Sequence, residues 1–289
     1  MNQLLVNPFE QYLELEKKIK HKPTTVTTTF SPRLNEQFDG NGIEPTTVVM
    51  LGAKYGVGKT YFALNWIMHL IKDQKKVIFF SLDMDFQKIV TKIVRYVMGI
   101  GKIDAINAMR DERETVREAL RESGYFDYLK IYTNEKRPIS FKEISSICTE
   151  EKPDVVFIDH FGKIYGIGHN PYQESKVVAE YLRNMKTKIN TTFVVLIQMR
   201  KADSKSRGQN TIPPFKDDYK GAGEVGEDAD VMLSLARPDL DNDCPPEKQR
   251  IIVGALRKNR LKDDAEIGHI FWKYDPISTR MTDIYPIRI

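Results

Sequence analysis

Ala53-Lys54-Tyr55-Gly56-Val57-Gly58-Lys59-Thr60 follows directly on an apolar run at 48–51 and opens a helical stretch at 61–72. The octapeptide fits the phosphate-loop pattern, with alanine at its first position where glycine is commonest. A strand, a tight glycine-bearing loop and a helix in that order aim backbone N–H groups and the positive end of a helix at a polyphosphate. Lys59 is then placed to neutralise the β- and γ-phosphates, and the Thr60 hydroxyl to help hold Mg²⁺. ATP and Mg²⁺ are therefore the expected ligands, held by Ala53, Lys54, Tyr55, Gly56, Val57, Gly58, Lys59 and Thr60.

Beyond this loop, β-rich apolar runs alternate with segments of helical periodicity. Strands are expected at 48–51, 77–82, 128–132, 155–158 and 193–197, with helices at 61–72, 86–98, 112–123, 141–150 and 172–188. That alternation builds an α/β fold: a mostly parallel twisted sheet with helices on both faces. Three further apolar runs at 231–235, 251–256 and 267–274 have no long helices between them, which predicts antiparallel strands extending one sheet edge. Ahead of the sheet, Asn7-Pro8-Phe9-Glu10 reads as a helix start, so residues 7–20 are expected to form a helical arm. Residues 21–29, with Pro23 and five threonines, read as an extended linker. The division is thus 1–29 for arm and linker and 30–289 for one α/β domain.

Composition sets limits on function. Of 289 residues, 41% are hydrophobic and 29% charged, enough for an ordinary core. A net charge of +4 does not by itself imply nucleic acid. Its distribution matters more, because Lys and Arg gather at 200–220 and 248–262 and could face phosphates there, the competing reading being solvated loops. Cys148 and Cys244 are too few and too far apart for a disulfide framework or a CxxC metal site, which fits a reducing cytoplasm. No signal-peptide pattern and no apolar run of membrane-spanning length occurs, so neither secretion nor a membrane partner is expected.

Other candidate residues stand where apolar strands end. Pro153-Asp154-Val155-Val156-Phe157-Ile158-Asp159 places Asp159 at the carboxyl edge of the sheet, beside the phosphate loop, as a ligand of Mg²⁺ through water. The bland alternative is a turn-starting aspartate. Ser81-Leu82-Asp83-Met84 brings Asp83 to the same edge, where a carboxylate can orient an attacking water; Asp85 is a second candidate and also a natural helix cap. Gln198 ends the run at 193–197, either as a phosphate-sensing amide or simply as the last residue of a strand.

Taken in order, these segments resemble the DnaB family of replicative helicases, from about Phe30 to the C-terminus. Phe30-Ser31-Pro32-Arg33-Leu34-Asn35 is similar to the lead-in to that family's ATPase strand, and Phe62-Ala63-Leu64-Asn65 to the continuation after its phosphate loop. Ser81-Leu82-Asp83-Met84 resembles the family's Ser-Leu-Glu-Met motif and departs from it by one methylene at Asp83. The resemblance implies a RecA-like motor assembled as a six-membered ring around single-stranded DNA, hydrolysing ATP and moving 5′ to 3′. It assigns Gln198 as the γ-phosphate sensor and Lys220, Gly221 and Gly223, in Asp218-Tyr219-Lys220-Gly221-Ala222-Gly223, as contacts to the sugar-phosphate chain. Glycine suits such a contact because backbone must approach the phosphate closely.

Arg257-Lys258-Asn259-Arg260 resembles the Lys-x-Arg tip that reaches a neighbouring subunit's ATP, which makes Lys258 and Arg260 finger candidates. The family also carries an N-terminal helical collar that docks primase; this sequence leaves no room for one, and the arm at 7–20 resembles the linker helix that packs on the adjacent subunit. A primase or loader is a further partner the resemblance allows, and a motor so reduced suits a phage, plasmid or other mobile-element helicase, or an ATPase reassigned to another task, in a bacterial or host cytoplasm. The rival reading is a RecA-like ATP switch that assembles on DNA or protein without unwinding. A small-molecule kinase would leave the basic segments after Gln198 unused.

Overall fold

The computed structural model describes residues 13, 26–164, 171–199, 210, 212–215, 228–241, 244–262 and 268–285. The arm expected at 7–20, apart from Leu13, and the residues Lys220, Gly221 and Gly223 lie outside these. The described strands are β1 Val48–Ala53, β2 Val77–Ser81, β3 Leu129–Thr133, β4 Val155–Asp159, β5 Thr192–Gln198, β6 Val231–Ala236, β7 Ile251–Asn259, β8 His269–Tyr274 and β9 Met281–Ile284. They form one sheet in the order β3-β2-β4-β5-β1-β6-β7-β8-β9. From β3 to β6 all pairings are parallel, and from β6 to β9 they are antiparallel.

The helices used below are α1 Lys59–Lys72, α2 Phe86–Met98, α3 Lys102–Asp111, α4 Arg113–Glu122, α5 Phe141–Glu151 and α6 Pro171–Ile189. Every residue of β1, β2 and β4 is buried, because helices cover both faces of a parallel sheet. Successive side chains sort to opposite faces with the period of two that a strand imposes. Val49, Leu51, Val77, Phe79, Val155 and Phe157 pack with α1 and α2. Val48, Met50, Ile78, Phe80, Val156 and Ile158 pack with α5 and α6. None of the described helices is long and apolar enough to cross a membrane.

Four features differ from the sequence reading. Strand β6 pairs parallel to β1, so the antiparallel extension begins one strand later than the run at 231–235 suggested. Helix α3 was not expected: its apolar residues Ile103 and Ile106 face out and only Ala105 and Ala108 are buried, so it carries no apolar stripe to read. Strand β9, Met-Thr-Asp-Ile, is too short and polar to stand out. Thr27 and Thr29, within the stretch read as linker, are buried, and the Thr28 carbonyl accepts a hydrogen bond from Trp66 Nε1 at 3.1 Å.

The antiparallel extension is locked to the phosphate-loop helix. The Trp272 ring of β8 meets Phe62 of α1 edge-on at 5.0 Å. The Cζ3–Cη2 edge of its ring also sits against Gly254 of β7, where an added Cβ would come within 2.3 Å of it. The buried Asn65 amide of α1 completes the joint: its Nδ2 donates to the Thr279 carbonyl at 2.9 Å and its Oδ1 accepts from the Met281 N–H at 2.8 Å. Since α1 begins at Lys59, the extension braces the helix whose first turn carries the chemistry.

Gly254→Ala is expected to push Trp272 off this seat. Overpacking of that kind costs about 1–3 kcal/mol. Urea unfolding should show a lowered midpoint with an unchanged slope, whereas wild-type stability would mean that Trp272 repacks freely.

Candidate nucleotide-binding site

The loop between β1 and α1 reverses direction through Gly56 (φ 80°) and Gly58 (φ 113°). These are left-handed conformations that a Cβ disfavours, and Gly58 stands directly before the first helical residue. The N–H groups at the start of α1 have no partner within the helix and point into the loop's concavity. Lys59 Nζ donates to the Ala53 carbonyl at 3.0 Å, so the ammonium folds back over its own loop. The Thr60 hydroxyl donates to Asp159 Oδ2 at 2.6 Å.

This last contact joins β1's loop to the end of β4, although β5 lies between the two strands. The register makes it possible. Ala53 pairs with Gln198, and Leu196 with Asp159, so all three strands end at one edge. Asp159 is 5% exposed. Burial pushes its carboxyl above the usual range, opposed by the Thr60 hydroxyl and the Lys59 cation. Burial likewise lowers Lys59, opposed by Asp159 and Asp83. Each charge thus reduces the other's desolvation penalty, and bound phosphates would add a compensating anion to the cation's side.

Asp83 follows β2 at this same edge, since Ser81 pairs with Asp159. Its side chain is 52% exposed and lies 3.8 Å from Lys163 Nζ. Asp85 is engaged elsewhere: its side chain accepts from the Lys88 N–H at 2.8 Å and caps α2. The structure therefore brings Lys59, Thr60, Asp159, Asp83 and Gln198 together and gives Asp85 the helix cap. Gln198 ends β5 with its side chain exposed beside Ala53.

The finger candidates lie elsewhere. Lys258 pairs with Met232, which pairs with Met50 in the middle of β1. The Arg260 N–H donates to the Asp230 carbonyl at 2.9 Å, and the Asp230 N–H to the Val48 carbonyl at 2.9 Å, so Arg260 stands level with the start of β1. At about 3.3 Å per residue, that is about 16 Å below Ala53, and β7 is two strands to the side. Neither cation reaches its own phosphate loop. A bulge contributes: Met232 opposes Lys258 and Leu233 opposes Leu256, so Arg257 is the extra residue. It turns to the Pro214 carbonyl at 2.8 Å and stacks on Phe215.

Sequence reasoning missed several neighbours of the loop. His160 follows Asp159 in the chain, and burial lowers its ring below the usual range, opposed by Asp159 and Asp83. A cleft of about 360 Å³ is lined by Asp239, Leu240, Asp241, Cys244, Gln249 and Arg250. Leu240 comes within 4.0 Å of where a Gly56 side chain would start, so the cleft adjoins the loop. The connection from β6 to β7 forms it, and no motif spacing would have pointed there. Among the described residues no group of three or more His, Cys, Asp or Glu could hold a metal unaided. Mg²⁺ commonly uses one or two protein ligands with substrate phosphates and waters, and Thr60 with Asp159 fits that donor set.

A phosphate loop opening α1, an acidic strand end across β5, and helices on both faces of the sheet define a RecA-like nucleotide-binding protein. The chain belongs to the family described as DnaB-like helicase C terminal domain, whose model matches residues 26–280. It is 28% identical over 228 residues to a probable plasmid replicative DNA helicase of Chlamydia trachomatis, covering 76% of this chain and 49% of the relative. It is 25% identical over 228 residues to the replicative DNA helicase DnaB of Geobacillus stearothermophilus, again covering 76% and 49%. The chain thus spans about half the length of the curated relatives it matches. Among solved structures, the ATPase domain of G40P superposes with a TM-score of 0.79 at 19% identity, covering 96% of this chain and 99% of that one. A KaiC-like protein from Pyrococcus horikoshii superposes at 0.61 with 13% identity, covering 91% and 100%. These two likenesses carry the fold.

Because Asp85 caps α2 and stands apart from the loop's charges, Asp85→Ala should lower the urea midpoint and leave nucleotide affinity unchanged. A lost affinity, measured with a fluorescent ATP analogue, would return Asp85 to the site.

Proposed function

We propose that this chain is the motor of an ATP-dependent, ring-forming DNA helicase. Its subunits would encircle one DNA strand, in a ring of six as the resemblance implies, and move along it 5′ to 3′. The observation that carries this reading is the separation of Lys258 and Arg260 from their own phosphate loop. Two cations held on a strand end, out of reach in cis, make sense if they complete the site of the next subunit. Family membership, and relatives named as replicative helicases, support the same reading.

In this account backbone N–H groups of residues 53–60 and Lys59 hold the triphosphate. Thr60 and Asp159 hold Mg²⁺, which when bound neutralises charge on the phosphates. Asp83 orients the attacking water by accepting a hydrogen bond from its O–H, and Gln198 reads the γ-phosphate and passes its presence to the segment after β5. The cleft beside Gly56 takes the base and ribose. Lys258 and Arg260 stabilise charge on the transferring phosphoryl group of the adjacent subunit, which makes hydrolysis depend on assembly. Lys220, Gly221 and Gly223 hold the sugar-phosphate backbone, so binding to single strands is salt-sensitive and largely blind to sequence.

A solved DnaB-like replicative helicase is described together with its interactions with primase, and it superposes with a TM-score of 0.79 at 19% identity. A primase or loader is accordingly a proposed partner, and the cytoplasm, where bacterial and plasmid DNA replicates, the proposed location.

Lys59→Ala should abolish both ATP turnover and the opening of a forked duplex. Arg260→Ala should keep ATP binding while lowering turnover about a thousandfold, the scale of a trans-acting arginine. Paired ATPase and fork-opening assays, with and without single-stranded DNA, check both. Turnover indifferent to DNA, with no fork opened, would instead indicate an ATP switch.

A further inference from the structure

Asp83 is poorly provided for as a water-orienting group. One methylene separates its carboxylate from the backbone, so its aim depends on where the turn after β2 is held and on what it touches. The turn itself is fixed. The Ser81 hydroxyl donates to the Met84 carbonyl at 3.1 Å, and the Leu82 N–H to the Asp159 carbonyl at 2.6 Å. Asn134 Nδ2 donates both to the Leu82 carbonyl at 3.1 Å and to the Lys163 carbonyl at 3.3 Å, while its Oδ1 accepts from the Ile139 N–H at 3.0 Å. One buttressed amide therefore sets the turn carrying Asp83 against the turn carrying Lys163.

Among the described residues the Asp83 carboxylate has an ion-pair partner at this turn. Lys163, in the short turn Phe161–Lys163 after β4, places Nζ 3.8 Å from Asp83 Oδ1. The two side chains are 53% and 52% exposed. A pair so open to water adds little to folding stability, which leaves placement of the carboxylate as its contribution. Small displacements of such a group are costly, because reacting atoms must be held near their attack geometry.

We propose that Lys163 is a positioning residue for Asp83: its ammonium holds the carboxylate toward the γ-phosphate edge of the loop without itself touching the nucleotide. The proposal rests on Asp83 being the water-orienting group. It concerns the maximum rate and not the affinity for ATP, since Lys163 is not part of the phosphate loop.

Steady-state ATP turnover with single-stranded DNA, on the full chain, tests it in Lys163→Ala, Lys163→Arg, Asp83→Asn and the Lys163→Ala, Asp83→Asn double variant. Lys163→Ala should lower kcat about tenfold with KM for ATP nearly unchanged. Lys163→Arg should recover most of the rate. The double variant should be no slower than Asp83→Asn alone, because the lysine acts only through the carboxylate. An unchanged kcat in Lys163→Ala, a raised KM, or a further loss in the double variant would overturn the positioning role while leaving Asp83 in place. Full turnover in Asp83→Asn would remove the reading beneath it as well. Unchanged ATP-analogue binding by Lys163→Ala confirms that the site is folded.

Discussion

The hydrogen bond from Thr60 to Asp159 joins residues 99 positions apart in the chain and spans a strand that lies between them. A carboxylate buried this far would ordinarily be costly. Here the hydroxyl and the Lys59 ammonium offset part of the cost. The arrangement needs the parallel register to be held within one residue, since a slip would turn Asp159 to the other face. Much of the core serves that register: helices seal both faces of the parallel strands, and α1 is braced from the far end of the chain by Trp272, which packs on Phe62, and by the Thr279 and Met281 backbone, which bonds Asn65.

The same sheet divides its charges. Anion-binding groups stand at the carboxyl edge, where the backbone dipoles of α1 converge. Lys258 and Arg260 stand at or below the middle of the strands on β7, whose antiparallel course carries them away from the loop. If the proposed trans arrangement holds, a site completed by a neighbour's cation is switched by association. That is how a ring can couple hydrolysis at one interface to the movement of the next subunit.

Most of the parallel sheet and the phosphate loop were legible in the sequence, because buried parallel strands are continuous apolar runs and their last residues carry the chemistry. That logic put Asp159 and Gln198 at the carboxyl edge, where the structure has both ending their strands. It failed where burial is not apolar or apolar residues are not buried. Helix α3 exposes Ile103 and Ile106, β9 is half polar, and Asn65 is a buried amide whose partners lie more than 200 residues away. The direction of β6 was invisible, since apolar alternation does not encode pairing sense. Lys163 and Asn134 carry no motif at all: only the third dimension brings them to Asp83. The cap role of Asp85, one of the readings its position before a helix offered, is what the structure shows.

In the proposed ring, one subunit's phosphate loop is completed by the next subunit's Lys258 and Arg260. The most direct measurement mixes Lys59→Ala subunits with Arg260→Ala subunits at varied ratios and follows ATP turnover. Each variant alone lacks one half of every site, but mixed assemblies contain interfaces where an intact loop meets an intact arginine. Turnover rising above that of either variant, with a maximum at intermediate ratios, is the predicted result. Turnover equal at every ratio to the weighted sum of the two variants would contradict a shared site.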